Sequence, residues 1–182
     1  MLIRHADAHR DAAPCASIYA PYVRDTVISF EERAPDEHEL ARRIGRVGRT
    51  HPWLIAENDG TVLGFAYGSA HRERAAYRWA SDVTVYVDPD HQRRGVGRSL
   101  YERLLLQLAD QGFHVACAGI TLPNESSVGL HRSLGFTEVG VYRRIGFKFG
   151  AWHDVSWWQS ELRELELPPD EPRTPAQLEP GA

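Results

Sequence analysis

The segment Val85-Tyr86-Val87-Asp88-Pro89-Asp90-His91-Gln92-Arg93-Arg94-Gly95-Val96-Gly97-Arg98 constrains the fold more than any other part of the chain. A β-branched run ends at Asp-Pro, a turn follows, and two glycines open a stretch in which Val96, Leu100, Leu104 and Leu108 recur at helical spacing as far as Gly112. A strand that passes through a glycine turn into a helix leaves the first-turn amides without helical partners, at the end that the helix dipole makes positive. Arg93, Arg94 and Arg98 add formal charge. A phosphate or pyrophosphate therefore belongs at this turn. Spelling narrows the choice: a P-loop needs glycine where Gln92 stands and lysine where Arg98 stands, and a dinucleotide fingerprint needs a third glycine where Leu100 stands.

The rest of the chain predicts alternating strands and helices around this unit. Leu2 to Ala6 reads as a strand, Asp11 opens a helix carrying Ala12, Ala16, Ile18, Ala20 and Tyr22, and Asp36 to Arg49 forms a second helix. Trp53 to Glu57 and Val62 to Ser69 form a hairpin about Asn58-Asp59-Gly60. Strands follow over Trp79 to Val87 and Val115 to Leu122, then a short helix over Asn124 to Leu134, then two antiparallel strands over Phe136 to Phe147 and His153 to Trp158. Hairpins combined with crossover helices imply an α/β fold (mixed α+β) with a partly antiparallel, partly parallel sheet. Residues 1–162 make one domain. Residues 163–182 hold five of the eleven prolines and no aromatic side chain, and are expected to be a disordered acidic tail.

Charge and composition exclude several classes. Twenty-one Lys+Arg against 25 Asp+Glu give a net charge of -4, without the basic surplus that nucleic-acid binding requires. No run approaches the roughly 18 to 20 apolar residues of a membrane span, and the first residues lack a signal peptide's apolar region, so a cytoplasmic protein without membrane contact is expected. Cys15 and Cys117 are widely spaced in apolar surroundings and read as reduced structural thiols, with no metal site.

Gln92-Arg93-Arg94-Gly95-Val96-Gly97 after Val-Tyr-Val resembles the acetyl-CoA loop of the GNAT acetyltransferases. Tyr77-Arg78-Trp79, Leu122-Pro123-Asn124, Leu134-Gly135-Phe136 and Trp152-His153-Asp154-Val155 extend the likeness to the phosphinothricin N-acetyltransferase branch, over about residues 2 to 162. That resemblance implies a mixed sheet of about seven strands splayed at its centre and flanked by helices, a homodimer, and acetyl transfer from acetyl-CoA to the α-amino group of a small glutamate-like amino acid. It further implies that Val85, Tyr86 and Val87 offer backbone groups to the pantetheine arm, that Arg93, Arg94, Gly95, Val96, Gly97 and Arg98 hold the pyrophosphate, and that Asn124, Ser127 and His131 face the cofactor. Phe30, Arg74 and Tyr77 fall at substrate-pocket positions, with Arg74 as the clamp on an acidic group. His131 is the expected donor to the departing thiolate. Asp82 stands where the branch has Glu, one methylene longer.

The chemistry asks for three devices. An amine attacks only when unprotonated, so a base is needed, with Asp82 as candidate, directly or through water. The oxyanion needs fixed donors, expected from a β-bulge near Tyr86 and Val87. The thiolate benefits from an acid, either His131 or the Tyr101 hydroxyl. Rival readings are an acetyltransferase acting on methionine sulfone or sulfoximine, an arsenic-containing glutamate analogue or a protein N-terminus, a non-catalytic acyl-CoA sensor, and an architectural dimer with a vestigial loop.

Overall fold

A computed structural model describes residues 1–178. Strands β1 (Leu2–His5), β2 (Trp53–Asn58), β3 (Thr61–Ala70), β4 (Ala80–Val87), β5 (Val115–Thr121), β6 (Thr137–Lys148) and β7 (Ala151–Glu161) alternate with helices α1 (Ala8–Arg24), α2 (Glu37–Val47), α3 (Val96–Gln111) and α4 (Glu125–Ser133). They form one seven-stranded sheet in the order β1-β2-β3-β4-β5-β7-β6. Only the β4–β5 contact is parallel, and it lasts three pairs, Ala80 with Val115, Ser81 with Ala116 and Asp82 with Cys117. Beyond Asp82 the two strands part, which is the splay at the centre of the sheet. No helix among the described residues is long and apolar enough to cross a membrane.

Strand alternation divides the core into two layers. Leu54, Ala56, Ala66 and Val83 pack against Leu100, Leu104 and Leu108 of α3, while Trp53, Ile55 and Phe65 pack against Cys15, Ile18, Leu40 and Ile44 of α1 and α2. With both faces covered, the start of β2 reads as a continuous apolar run rather than an alternating one. The β2–β3 turn places Asp59 and Gly60 both at positive φ, as the Asn-Asp-Gly spelling predicts.

Helix α1 starts earlier than the sequence suggested. Its N-cap is Asp7, whose carboxylate accepts from the His9 and Arg10 amides, and Asp11 lies one turn inside. Asp11 is fully buried because both of its oxygens accept from the Arg4 guanidinium, which also binds Glu57. That ion pair ties β1, α1 and β2 together. The proline-rich tail also departs from expectation. Asp170 O accepts from Trp79 Nε1, Glu171 pairs with Arg78, and Arg173 exchanges main-chain and side-chain hydrogen bonds with Asp110 and Gln111. The segment is short of apolar side chains, yet its backbone groups find partners on the folded body. Residues 179–182 of the tail lie outside the described residues.

Lys148, at the end of β6, is buried and donates from Nζ to Val23 O and Ser29 O, so it fixes the loop between α1 and α2 that carries Ile28 and Phe30. Lys148→Met would leave two carbonyls unpaired, at about 1–3 kcal/mol. Chemical denaturation should register that loss, and the KM for the second substrate should rise if Ile28 and Phe30 line its site.

Candidate active site

The parting of β4 from β5 exposes one edge of β4. The β3–β4 register is regular from Gly64↔Val87 to Ala70↔Ser81, so the bulge expected near Tyr86 and Val87 is absent from this pairing. The free backbone groups arise from the splay instead. Val83 O accepts from the Tyr101 hydroxyl and Val87 O from the Tyr22 hydroxyl, each in place of a strand partner. In an antiparallel ladder a residue turns its N–H and C=O to the same side, so Val85, of the same parity, presents both to the gap. Tyr86 turns its backbone toward β3 and packs its ring against Tyr19, Tyr22 and Phe65. The backbone role assigned to Val85–Val87 therefore falls on Val85 and Val87.

The glycine turn closes one end of the gap. Arg93 and Gly95 both adopt positive φ, and Gly95 caps α3 in the left-handed conformation, which directs the first amides of the helix outward. A side chain at Gly97 would rest on Val87 and Leu130, so glycine keeps the floor low. Val85–Val87, Gln92, Arg93, Gly95–Arg98, Asn124 and Ser127 line a hollow of about 470 Å3, joined by Tyr22 and Ser126, to which the sequence assigns no site role. Arg94 does not reach it and faces a separate groove beside Met1 and Asp59. Asn124 caps α4, accepting from Ser127 N–H.

Tyr101 and His131 meet under the gap, with ring centroids 5.2 Å apart. His131 Nδ1 lies 2.7 Å from Ser127 O, and because a carbonyl only accepts, Nδ1 carries the proton. Nε2 is then a bare acceptor, buried and without a hydrogen bond. Burial holds the imidazole below its ordinary pKa, against the raising effect of the Ser127 carbonyl. The resting side chain thus offers a lone pair, where the sequence reading placed a proton donor. Burial pushes the Tyr101 phenol well above its ordinary value, so the phenol keeps its proton.

On the opposite face, Ile28, Phe30, Gly119, Thr121, Tyr142, Ile145, Val155 and Trp157 enclose a second hollow of about 310 Å3. Ile28 lines both hollows and a narrow space between them, bounded by Val83–Tyr86, Tyr101, Ala118–Thr121 and His131. Gly146 is required here, since a Cβ would stand 2.1 Å from the Phe30 ring. A bulge in β6 between Tyr142 and Gly146 brings Ile145 to the hollow; Asp154 secures it by accepting from Arg144 N–H and Arg143 Nη1. His153 donates to Lys148 O beside Phe30. Asp154 and His153 therefore shape the wall of this hollow.

Asp82 lies at the vertex of the splay, half-buried, with Oδ1 2.6 Å from His71 Nδ1. Desolvation raises its pKa, opposed by His71 and Arg72. Tyr77 meets the His71 ring, and Arg72 lies over the Trp157 ring at 5.7 Å. Arg74, the expected clamp, is exposed on the 310 turn and its side chain makes no hydrogen bond or ion pair among the described residues. Arg72 is thus the cation that reaches the aromatic wall. His71 and Arg72 escaped the sequence reading because nothing in their spacing marks them; only strand pairing brings them to Asp82 and Trp157. Cys15 and Cys117 are pushed by burial to about 12 and about 11, which disfavours either as a thiolate nucleophile. The donor atoms of His71, Asp82 and Cys117 lie within 4.8 Å of one another, yet a shared proton joins His71 to Asp82 across less than the roughly 3.3 Å between ligands on a tetrahedral cation.

Residues 3–157 match the family model described as the Acetyltransferase (GNAT) domain. A phosphinothricin N-acetyltransferase of Streptomyces viridochromogenes is 40% identical over 176 residues, covering 97% of this chain and 95% of that protein. An L-methionine sulfoximine/L-methionine sulfone acetyltransferase of Salmonella typhimurium is 37% identical over 169 residues, covering 92% and 98%. The crystal structure of a phosphinothricin acetyltransferase from Sinorhizobium meliloti in complex with AcCoA superposes with a TM-score of 0.87 at 34% identity, covering 96% of this chain and 94% of that one. The seven-stranded sheet opened at β4 and the glycine turn beside it are those of an acetyl-CoA enzyme, and this chain belongs to the GNAT acetyltransferase family.

Proposed function

We propose that this enzyme transfers acetyl from acetyl-CoA directly to the α-amino group of a small amino acid of the glutamate-analogue class, such as phosphinothricin or methionine sulfoximine. One observation carries the reading. A phosphate-ready hollow and an aromatic hollow meet at a gap where Val85 presents free backbone groups, so a thioester arriving from one side faces an amine arriving from the other. The names of relatives that match nearly the whole chain support the same substrate class.

In this reading Gly95–Arg98 and Arg93 hold the pyrophosphate on the α3 N-terminus, with Asn124 and Ser127 along the arm. The cofactor arm lies along the free edge of β4 as a short extra strand, paired with Val85 and Val87. The Val85 N–H polarises the thioester carbonyl and stabilises the oxyanion. Arg72 neutralises the acidic end of the substrate while Phe30, Tyr142 and Trp157 bound its side chain. The Asp82–His71 pair receives the amine proton. Tyr101, which retains its proton, donates to the departing thiolate, and His131 Nε2 accepts within the same cluster. Two free cysteines, Cys15 buried and Cys117 partly buried, suit a cytoplasmic setting.

Thiol release from acetyl-CoA, followed across a panel of phosphinothricin, methionine sulfone, methionine sulfoximine and an N-terminal peptide, tests the proposal. Turnover should favour the small acidic analogues, and cofactor binding with no thiol release from any amine would mark a sensor instead. Gly97→Asp places a carboxylate where phosphate must lie, so calorimetry should find acetyl-CoA affinity reduced on the order of tenfold or more with the fold intact. Tyr101→Phe should lower kcat by roughly 10², with cofactor affinity unchanged.

The exposed apolar side chains of the β6–β7 hairpin, Val139, Tyr142, Ile145, Phe147, Phe149 and Trp152, fit a homodimer in which a second copy covers that face and borders the aromatic hollow. Light scattering should return twice the 20.6 kDa chain mass, and a monomer at micromolar concentration would leave the hollow to one chain alone.

A further inference from the structure

We infer that His71, positioned by Asp82, is the catalytic residue that takes the proton from the substrate ammonium; the inference rests on the acetyltransferase reading above. Asp82 Oδ1 is already engaged at 2.6 Å by His71 Nδ1. A carboxylate in its charged form only accepts, so the bridging proton belongs to Nδ1, and the tautomer leaves a lone pair on Nε2. Among the described residues Nε2 makes no hydrogen bond, and it is not sealed from solvent as His131 Nε2 is. The ring is held rather than free. Trp157 meets it edge-on at 6.1 Å and 83°, and Tyr77 at 5.9 Å and 64°. Trp157 is itself a wall of the aromatic hollow, so the imidazole packs edge-on against a residue that lines it.

The arrangement explains how a short carboxylate serves here. Asp82 sits on the last paired step of β4 and β5, and an aspartate side chain alone extends little from the strand. An imidazole set between carboxylate and amine adds the width of a ring and supplies a base whose orientation the carboxylate fixes, the division of labour seen wherever a carboxylate orients a histidine. His71 follows β3 directly, and the register that pairs Ser69 with Asp82 and Ala70 with Ser81 brings its ring onto the Asp82 side chain. Cys117, paired with Asp82 across β4 and β5, is pushed up to about 11 by burial and by Asp82 and keeps its proton.

The step balances as follows. His71 Nε2 removes one proton from the ammonium, and the freed nitrogen lone pair forms the C–N bond to the thioester carbonyl. Collapse of the oxyanion breaks C–S. Tyr101 gives its proton to the thiolate and is restored by the second proton of the nitrogen, while His71 passes the first proton to solvent, leaving amide, free thiol and one released proton.

The discriminating variant is His71→Asn, because an asparagine amide can still donate to Asp82 while Nε2 is gone. Measured on the full chain with acetyl-CoA and the best amine of the panel, its kcat should fall by about 10² to 10³ while acetyl-CoA affinity by calorimetry stays at the wild-type value. His71→Ala should show the same loss, and imidazole added to the buffer should recover part of it; in Asp82→Asn, where the histidine is present but unoriented, imidazole should recover nothing. A His71→Asn enzyme within about threefold of wild-type kcat would overturn the inference and return the base role to Asp82 itself. A wild-type chain that binds acetyl-CoA and releases no thiol with any amine would instead overturn the underlying acetyltransferase reading, and the role of His71 with it.

Discussion

The structure depends on one departure from regularity: β4 and β5 pair in parallel for three residues and then separate. Backbone N–H and C=O groups on an interior strand ordinarily have partners on both edges, and leaving them unpaired in a buried setting is costly. Here Tyr101 and Tyr22 satisfy two of the carbonyls, and Val85 is left facing the gap. The opening persists because each half of the sheet is independently secured, by α3 and the antiparallel pairing to β3 on one side and by the long β5–β7–β6 ladder on the other.

That separation sets the positions of every other functional element. It lets Ile28 reach down between the strands, and Lys148 keeps the loop bearing Ile28 and Phe30 there through two buried hydrogen bonds. It places Asp82 at the vertex, flanked by His71 from the end of β3 and by Cys117 on β5. It also sorts the titratable groups by face. Tyr101 and His131 lie on the α3 side, sealed from solvent, where burial keeps a phenol protonated and an imidazole neutral. His71 and Asp82 lie on the other side, joined by their hydrogen bond.

Much of this was legible in the sequence. Gly95 and Gly97 between a β-branched run and a leucine-patterned helix identify an anion site by local physics alone, because positive φ and unpaired amides are consequences of spelling over a few residues. The Asn58-Asp59-Gly60 turn, the Asn124 cap and the alternation of strands with crossover helices are local in the same sense. Asp7 was missed as the α1 cap because Asp11 shows an equally good cap signature until its ion pair with Arg4 is seen, and that pair spans three elements. The tail's composition predicted no regular structure, and it said nothing of main-chain bonds to Trp79 and Gln111, which depend on surfaces assembled elsewhere.

The sequence by itself determined the fold family, the glycine turn that opens α3 and most of the residues that line the hollow beside it, since each is encoded in contiguous residues with fixed spacing. Tertiary structure alone decided the substrate side. Which arginine reaches Trp157, which histidine touches Asp82, and whether His131 shows a proton or a lone pair follow from strand register, from the bulge in β6 and from the carbonyl of Ser127. Those are contacts between residues far apart in the chain, and no local pattern of residue types specifies the partner that a side chain meets across a sheet.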